Sequence, residues 1–265
     1  ELAEAVSEYA DGVIERNLPN SNIKLENKWA LQNPNDYITS FVSVCREISA
    51  TGYNLKNLIG IGIDFTSCTV LPVNSSGTPL CNIEKWKDNP HSWVKLWKHH
   101  AAQPQADKIN EVAHSTNNEW IHYYGGKISS EWLFPKLLQI LEEDQELYEE
   151  MDSFIEAGDW LVWQLAGNDK RSWAMAVYKA MYDPEKGFPG KDYFKAINPL
   201  FENVVAEKLN DKYFPVTAVA GGLKEEFSRL TGLPVNTPVS VANIDAHVAV
   251  SSTGITQKGQ FLSVI

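Results

Sequence analysis

Apolar positions along the chain repeat with two periods, and the switches between them mark the elements. Residues 58–64 put Ile59, Ile61 and Ile63 at every second position, with Gly60 and Gly62 between. That period predicts a strand with something packed closely on its glycine side. Ahead of it, residues 34–48 carry Tyr37, Phe41, Val44 and Ile48 on one helical stripe, so the two together predict an α/β unit. Residues 71–73, the polar run 74–77 and Pro79–Leu80 predict a hairpin turning on Gly77. The middle is helical by pattern: 92–100 (Trp93, Leu96, Trp97), 106–112, 130–141 with Pro135 in its first turns, and 151–165 stopped by Gly167. Further on, 216–220 closes on Gly221 and Gly222, and 225–231 predicts a helix ended by Gly232. A buried strand is predicted at 238–242, a helix at 245–251 and a strand at 259–265. Residues 2–6 resemble the middle of a strand and 261–265 the end of one, so the chain is expected to be a piece of something longer.

The chain's 265 residues, with 43% hydrophobic and 22% charged, suit one large or two small globular domains. Its formal net charge of −11 speaks against non-specific nucleic-acid binding, which needs a basic stripe. No apolar run approaches the roughly 20 residues of a spanning helix. The three cysteines, Cys45, Cys68 and Cys81, are odd in number and lack metal-ligand spacing, which fits a reduced, cytoplasmic setting.

Three clusters fall where α/β proteins place ligands, at the carboxyl ends of strands. Asp64-Phe65-Thr66-Ser67-Cys68-Thr69 could line a pocket for a hydroxyl-rich ligand, or Asp64 or Thr66 could cap a turn. Asp64 is expected to be structural, holding this turn by accepting backbone N–H bonds. Asn243-Ile244-Asp245-Ala246-His247 follows a buried strand, so Asp245 is either an N-cap or a carboxylate set to take a proton from a substrate hydroxyl. Lys179, inside the apolar run 171–182, either snorkels to the surface or reaches a site. The histidines are scattered, and no metal site is expected from them. Gly60-Ile61-Gly62 lies inside a strand rather than in the turn after one, and Gly125–Ser129 lacks the Walker spacing, so no phosphate loop is expected within the chain.

Six segments resemble the bacterial ribulokinase branch of the FGGY family of carbohydrate kinases. They are GIGIDFTSCT (60–69), KDNPHSWVKLWKHHAA (87–102), YGGKISSEW (124–132), DWLVWQLAG (159–167), KGFP (186–189) and VANIDAHVAV (241–250). The likeness runs over essentially the whole chain in the same order. It implies an α/β fold of the actin-like ATPase (ribonuclease H-like) type, a mixed sheet flanked by helices. It also implies that 1–265 is most of the first, sugar-binding domain, with an opening hairpin and a second, ATP-binding domain outside the chain. The implied activity is ATP-dependent phosphorylation of L-ribulose at O5 in L-arabinose catabolism, with Mg²⁺ bridging the phosphates and both groups held mainly outside this chain. Carried over by residue, Asp245 becomes the catalytic base and Ser67 and Lys179 sugar contacts; the strand–helix junction itself places Asn243, two residues ahead, where it is expected to orient Asp245 or a sugar hydroxyl. Expected partners are a pentulose and ATP, with a second copy of the chain as an option, and neither nucleic acid nor membrane. Trp173 and Val177 depart from the family pattern, which usually has a small polar residue and a glycine there, so that pocket wall is expected to differ. A kinase for another pentulose, or a sugar-binding module without catalysis, stay as alternatives.

Overall fold

The computed structural model describes residues 2–210 and 212–260. At its centre lies an antiparallel sheet in the order Leu31–Gln32, Val94–Lys95, Val70–Val73, Ser153–Glu156. Val70 faces Lys95 on one neighbour and Glu156 on the other. Both faces are covered, as the period of two requires. Val70 and Phe154 point into one apolar cluster with the helices Gln103–Ser115 and Leu133–Glu143. Leu71, Val73 and Ile155 point into the other, with Tyr37, Trp160, Val239 and Ile244.

The helix at Pro34–Ser49 forms as its sequence directs. Asn33 caps it by accepting the Asn35 N–H, Pro34 occupies the first turn, and Arg46 lies in the last. Its buried Tyr37 and Phe41 face inward, and Phe41 meets Phe227 of the Glu225–Thr231 helix with ring centroids 6.2 Å apart. That second helix stops at Gly232, whose φ of +78° few other residues adopt cheaply.

Three expectations are corrected. Residues 92–100 form no helix: Pro90–Ser92 is a 3₁₀ turn and Val94–Lys95 is a strand between two partners. Residues 151–165 divide into the strand Ser153–Glu156 and the helix Ala157–Ala166, because sheet pairing with Val70–Val73 outweighs local helical spacing. Residues 58–64 run extended but pair intermittently, through Ile61 beside Val239 and then through Asp64–Phe65 parallel to Asn243–Ile244. No described strand pairs with the other edge, and Ile59 is 91% exposed. A Cβ at Gly60 would stand 3.4 Å from the Pro238 carbonyl oxygen, while nothing lies within 4 Å of where a Gly62 Cβ would stand, so among the described residues the close packing expected on the glycine side is met at Gly60 and not at Gly62.

The turn at 74–78 is present, with Gly77 at φ +79°, but its return arm meets the strand only at Pro79 before entering a 3₁₀ turn. Residues 2–6 carry no regular structure, and the strand expected at 259–265 lies mostly outside the described residues. No helix among the described residues is long and apolar enough to cross a membrane.

Candidate active site

Asp64–Phe65 and Asn243–Ile244 are parallel neighbours in register, Asn243 beside Asp64 and Ile244 beside Phe65. Their carboxyl ends therefore open side by side, where parallel sheets present ligand sites. The chain leaves one strand into the turn Thr66–Thr69 and the other into the short helix Asp245–Val250. Two cavities share this edge. One, of about 530 Å³, is lined by Thr66, Ser67, Trp97, Lys179 and Asp245 among others. The other, of about 480 Å³, is lined by Asp64, Thr66, Trp97, Lys98 and Asp245 among others.

The structure thus brings Ser67, Lys179 and Asp245 to one cavity. Asp245 is exposed, and its Oδ1 accepts the N–H of Ala246 at 2.7 Å. Ser67 is only 4% exposed, and its Oγ has no hydrogen-bond partner among the described residues. A buried hydroxyl without a partner is uncommon and invites a ligand's polar group. Lys179 follows the strand Arg171–Ser172 at the end of the helix Trp173–Lys179, with Nζ 4.0 Å from Glu131 Oε2. Glu131 Oε1 in turn lies 3.5 Å from His100 Nε2. Asn243 stands apart: it lines neither cavity, and its Oδ1 accepts the N–H of Ile244 at 2.9 Å, one residue before Asp245.

Asp64 does not hold the turn as expected. It is exposed, and its carboxylate has no hydrogen bond among the described residues. The turn is held from below instead. Cys68 adopts φ +61°, its N–H donates to Glu156 Oε2 at 2.8 Å, and its carbonyl accepts from Lys136 Nζ at 2.6 Å. Lys136 also donates to the carbonyls of Leu96 at 2.8 Å and Trp97 at 3.5 Å. Both groups are buried, and burial is the main cause of each shift: it pushes the Glu156 carboxyl up to about 8 and the Lys136 ammonium down to about 8. Trp97, which the pattern assigned to a helix, is 40% exposed and lines both cavities. Its place inside the family-like segment 87–102 was the one signal for it.

No group of three or more His, Cys, Asp or Glu among the described residues could hold a metal ion. Neither cavity is lined by glycines whose N–H groups could cradle a phosphate chain. These two cavities therefore do not by themselves fit ATP or its Mg²⁺, and no step is derived through either.

Residues 3–251 match the model of the FGGY family of carbohydrate kinases, N-terminal domain. The chain is 48% identical to the ribulokinase of Bacillus licheniformis over 100% of its own length and 48% of that protein. It is 46% identical to the ribulokinase of Halalkalibacterium halodurans over 99% of its length and 47% of that protein. The chain thus spans about half the length of the curated relatives it matches. Among solved structures, the xylulose kinase from Rhodospirillum rubrum superposes with a TM-score of 0.70 at 16% identity, over 88% of this chain and 44% of that one. The Plasmodium falciparum glycerol kinase with ADP gives 0.65 at 17% identity, over 85% and 42%. These likenesses establish the actin-like α/β fold. Sequence along the whole chain and fold agree, and the chain belongs to the FGGY family of carbohydrate kinases.

Proposed function

We propose that the protein is an ATP-dependent kinase that phosphorylates L-ribulose at O5, a step of L-arabinose breakdown, and that this chain forms most of its first, sugar-binding domain. The observation that carries this reading is the meeting of Ser67, Lys179 and Asp245 around one cavity of about 530 Å³ at the ends of two parallel strands. The name ribulokinase on relatives up to 48% identical supports L-ribulose over other pentuloses. ATP and Mg²⁺ are assigned mainly to the half of those relatives that this chain does not match.

The chemistry needed from these residues is positioning and proton transfer. Asp245 takes the proton of the sugar hydroxyl that becomes the nucleophile, and Asn243 steadies the backbone just ahead of it. The Ser67 hydroxyl gains its missing partner from a sugar hydroxyl. Lys179, whose Nζ lies 4.0 Å from Glu131, donates to another, and the Trp97 indole offers an apolar wall to the C–H face of the sugar.

The test is steady-state turnover by the purified full-length protein with ATP and Mg²⁺ on L-ribulose, D-ribulose and D-xylulose, with the product's phosphate position read by NMR. The reading expects the highest kcat/KM on L-ribulose and a 5-phosphate product. A clear preference for another pentulose, or phosphate on another oxygen, overturns it.

A further inference from the structure

Lys136 is 0% exposed in the helix Leu133–Glu143, and no carboxylate among the described residues lies within ion-pairing distance of it. Burying an unpaired ammonium is costly, and such a group is kept only where its donors are all used. An ammonium has three donors. Here they reach the carbonyls of Cys68 at 2.6 Å, Leu96 at 2.8 Å and Trp97 at 3.5 Å. The first belongs to the turn that carries Thr66 and Ser67, and the other two to the segment that carries Trp97, so one side chain ties together two walls of the 530 Å³ cavity. A second tie joins the same two segments: Thr69 Oγ1 lies 2.6 Å from Thr66 Oγ1 and accepts the Trp97 N–H at 3.2 Å. Glu156 fixes the Cys68 peptide from its N–H side, so the left-handed turn cannot relax toward or away from Trp97 without breaking one of these bonds.

We infer that Lys136, together with Thr69, is a positioning brace that sets the separation of Ser67 and Trp97 and thereby the affinity of the site for its sugar. This rests on the reading of the cavity as a pentulose pocket. Neither residue touches the sugar; both act through the backbone of residues that do.

The experiment compares Lys136→Met and Thr69→Val with wild type in the full-length protein. Both variants keep the side chain's bulk and remove its polar atoms. Measured are the KM for L-ribulose, the KM for ATP, the thermal midpoint, and amide hydrogen exchange of residues 66–69 and 96–98 without sugar. The brace predicts a rise in the sugar KM on the order of tenfold for Lys136→Met and severalfold for Thr69→Val. The ATP KM should stay within about twofold, a split that a general loss of fold would not give. Exchange should quicken in both segments together and stay unchanged in the Glu225–Thr231 helix. A folded Lys136→Met with an unaltered sugar KM overturns the inference, and so does a sugar KM that rises only in step with the ATP KM. If Lys136→Met does not fold, Thr69→Val decides alone: unaltered sugar KM and unaltered exchange reject the brace. If wild type turns over no pentulose, the kinase reading fails, and the exchange data still decide whether the two segments are tied.

Discussion

Gly158 is the second residue of the helix Ala157–Ala166 and lies beneath the junction of the two site strands. A Cβ added there would stand 2.9 Å from Phe65 Cβ, 3.1 Å from Met175 Cε and 3.2 Å from Ala242 Cβ. Met175 can swing its methyl aside, but the Cβ atoms of Phe65 and Ala242 move only with their backbones. Restoring an ordinary contact of about 3.4 Å needs a shift of about 0.5 Å at Phe65 (3.4 − 2.9). Overpacking of this kind costs about 1–3 kcal/mol, and the better helix propensity of alanine returns at most about 1 kcal/mol. Gly158→Ala should therefore destabilise by about 0–2 kcal/mol where an unhindered helical Gly→Ala would stabilise. Because Phe65 precedes Thr66 and Ala242 lies three residues before Asp245, the L-ribulose KM should rise severalfold. The assay is the urea midpoint by circular dichroism, with KM on the same samples. Gly62→Ala, where no atom lies within 4 Å of the added Cβ, is the control: it should leave KM unchanged and stability equal to wild type or higher by up to about 1 kcal/mol. A Gly158→Ala protein about 1 kcal/mol more stable than wild type with the same KM would refute the packing argument.

Two further outcomes are expected. Burial raises the Glu156 carboxyl to about 8, so between the unfolded value of about 4.3 and about 8 the folded chain holds a proton that the unfolded chain has lost. This contribution to stability is full below about pH 4.3 and declines as pH rises through that window. Glu156→Gln keeps an acceptor for the Cys68 N–H without titrating, so it should gain on wild type from about pH 5 to 8; a pH-independent difference in denaturation midpoints would contradict this. Trp160 is 3% exposed and its Nε1 donates to the Gly77 carbonyl at 2.8 Å, so Trp160→Phe should lose about 1–3 kcal/mol by urea unfolding, and a neutral result would deny that bond a role.

How much could be read beforehand depended on whether the signal was local. The Pro34–Ser49 helix carried its own cap and proline, and Glu225–Thr231 its own terminating glycine, so both were legible. Asp245 was legible as the first residue of a helix after a buried strand, and Ser67 and Lys179 through family likeness. Val94–Lys95 and Ser153–Glu156 were not, because four or fewer apolar residues satisfy helix and strand periods alike, and their long-range sheet partners decide. The buried Lys136 and Glu156 were hidden for the same reason. Pattern assigns ions to the surface, and only the approach of Cys68 to Leu96 creates the carbonyls and N–H that satisfy them. Asp64 misled in the opposite direction: a short acidic residue before a turn suggests a cap, yet its carboxylate is left free toward the cavity it shares with Asp245.

Asp245→Asn in the full-length protein tests the central claim most directly. The amide keeps the shape and can still bond a sugar hydroxyl but cannot accept its proton, so kcat should fall by roughly 10²–10⁴-fold. The dissociation constant for L-ribulose, measured by calorimetry on the same variant, should stay within a few-fold of wild type. A kcat near wild type would remove Asp245 from proton transfer, and a lost kcat accompanied by lost sugar binding would make it a positioning residue instead.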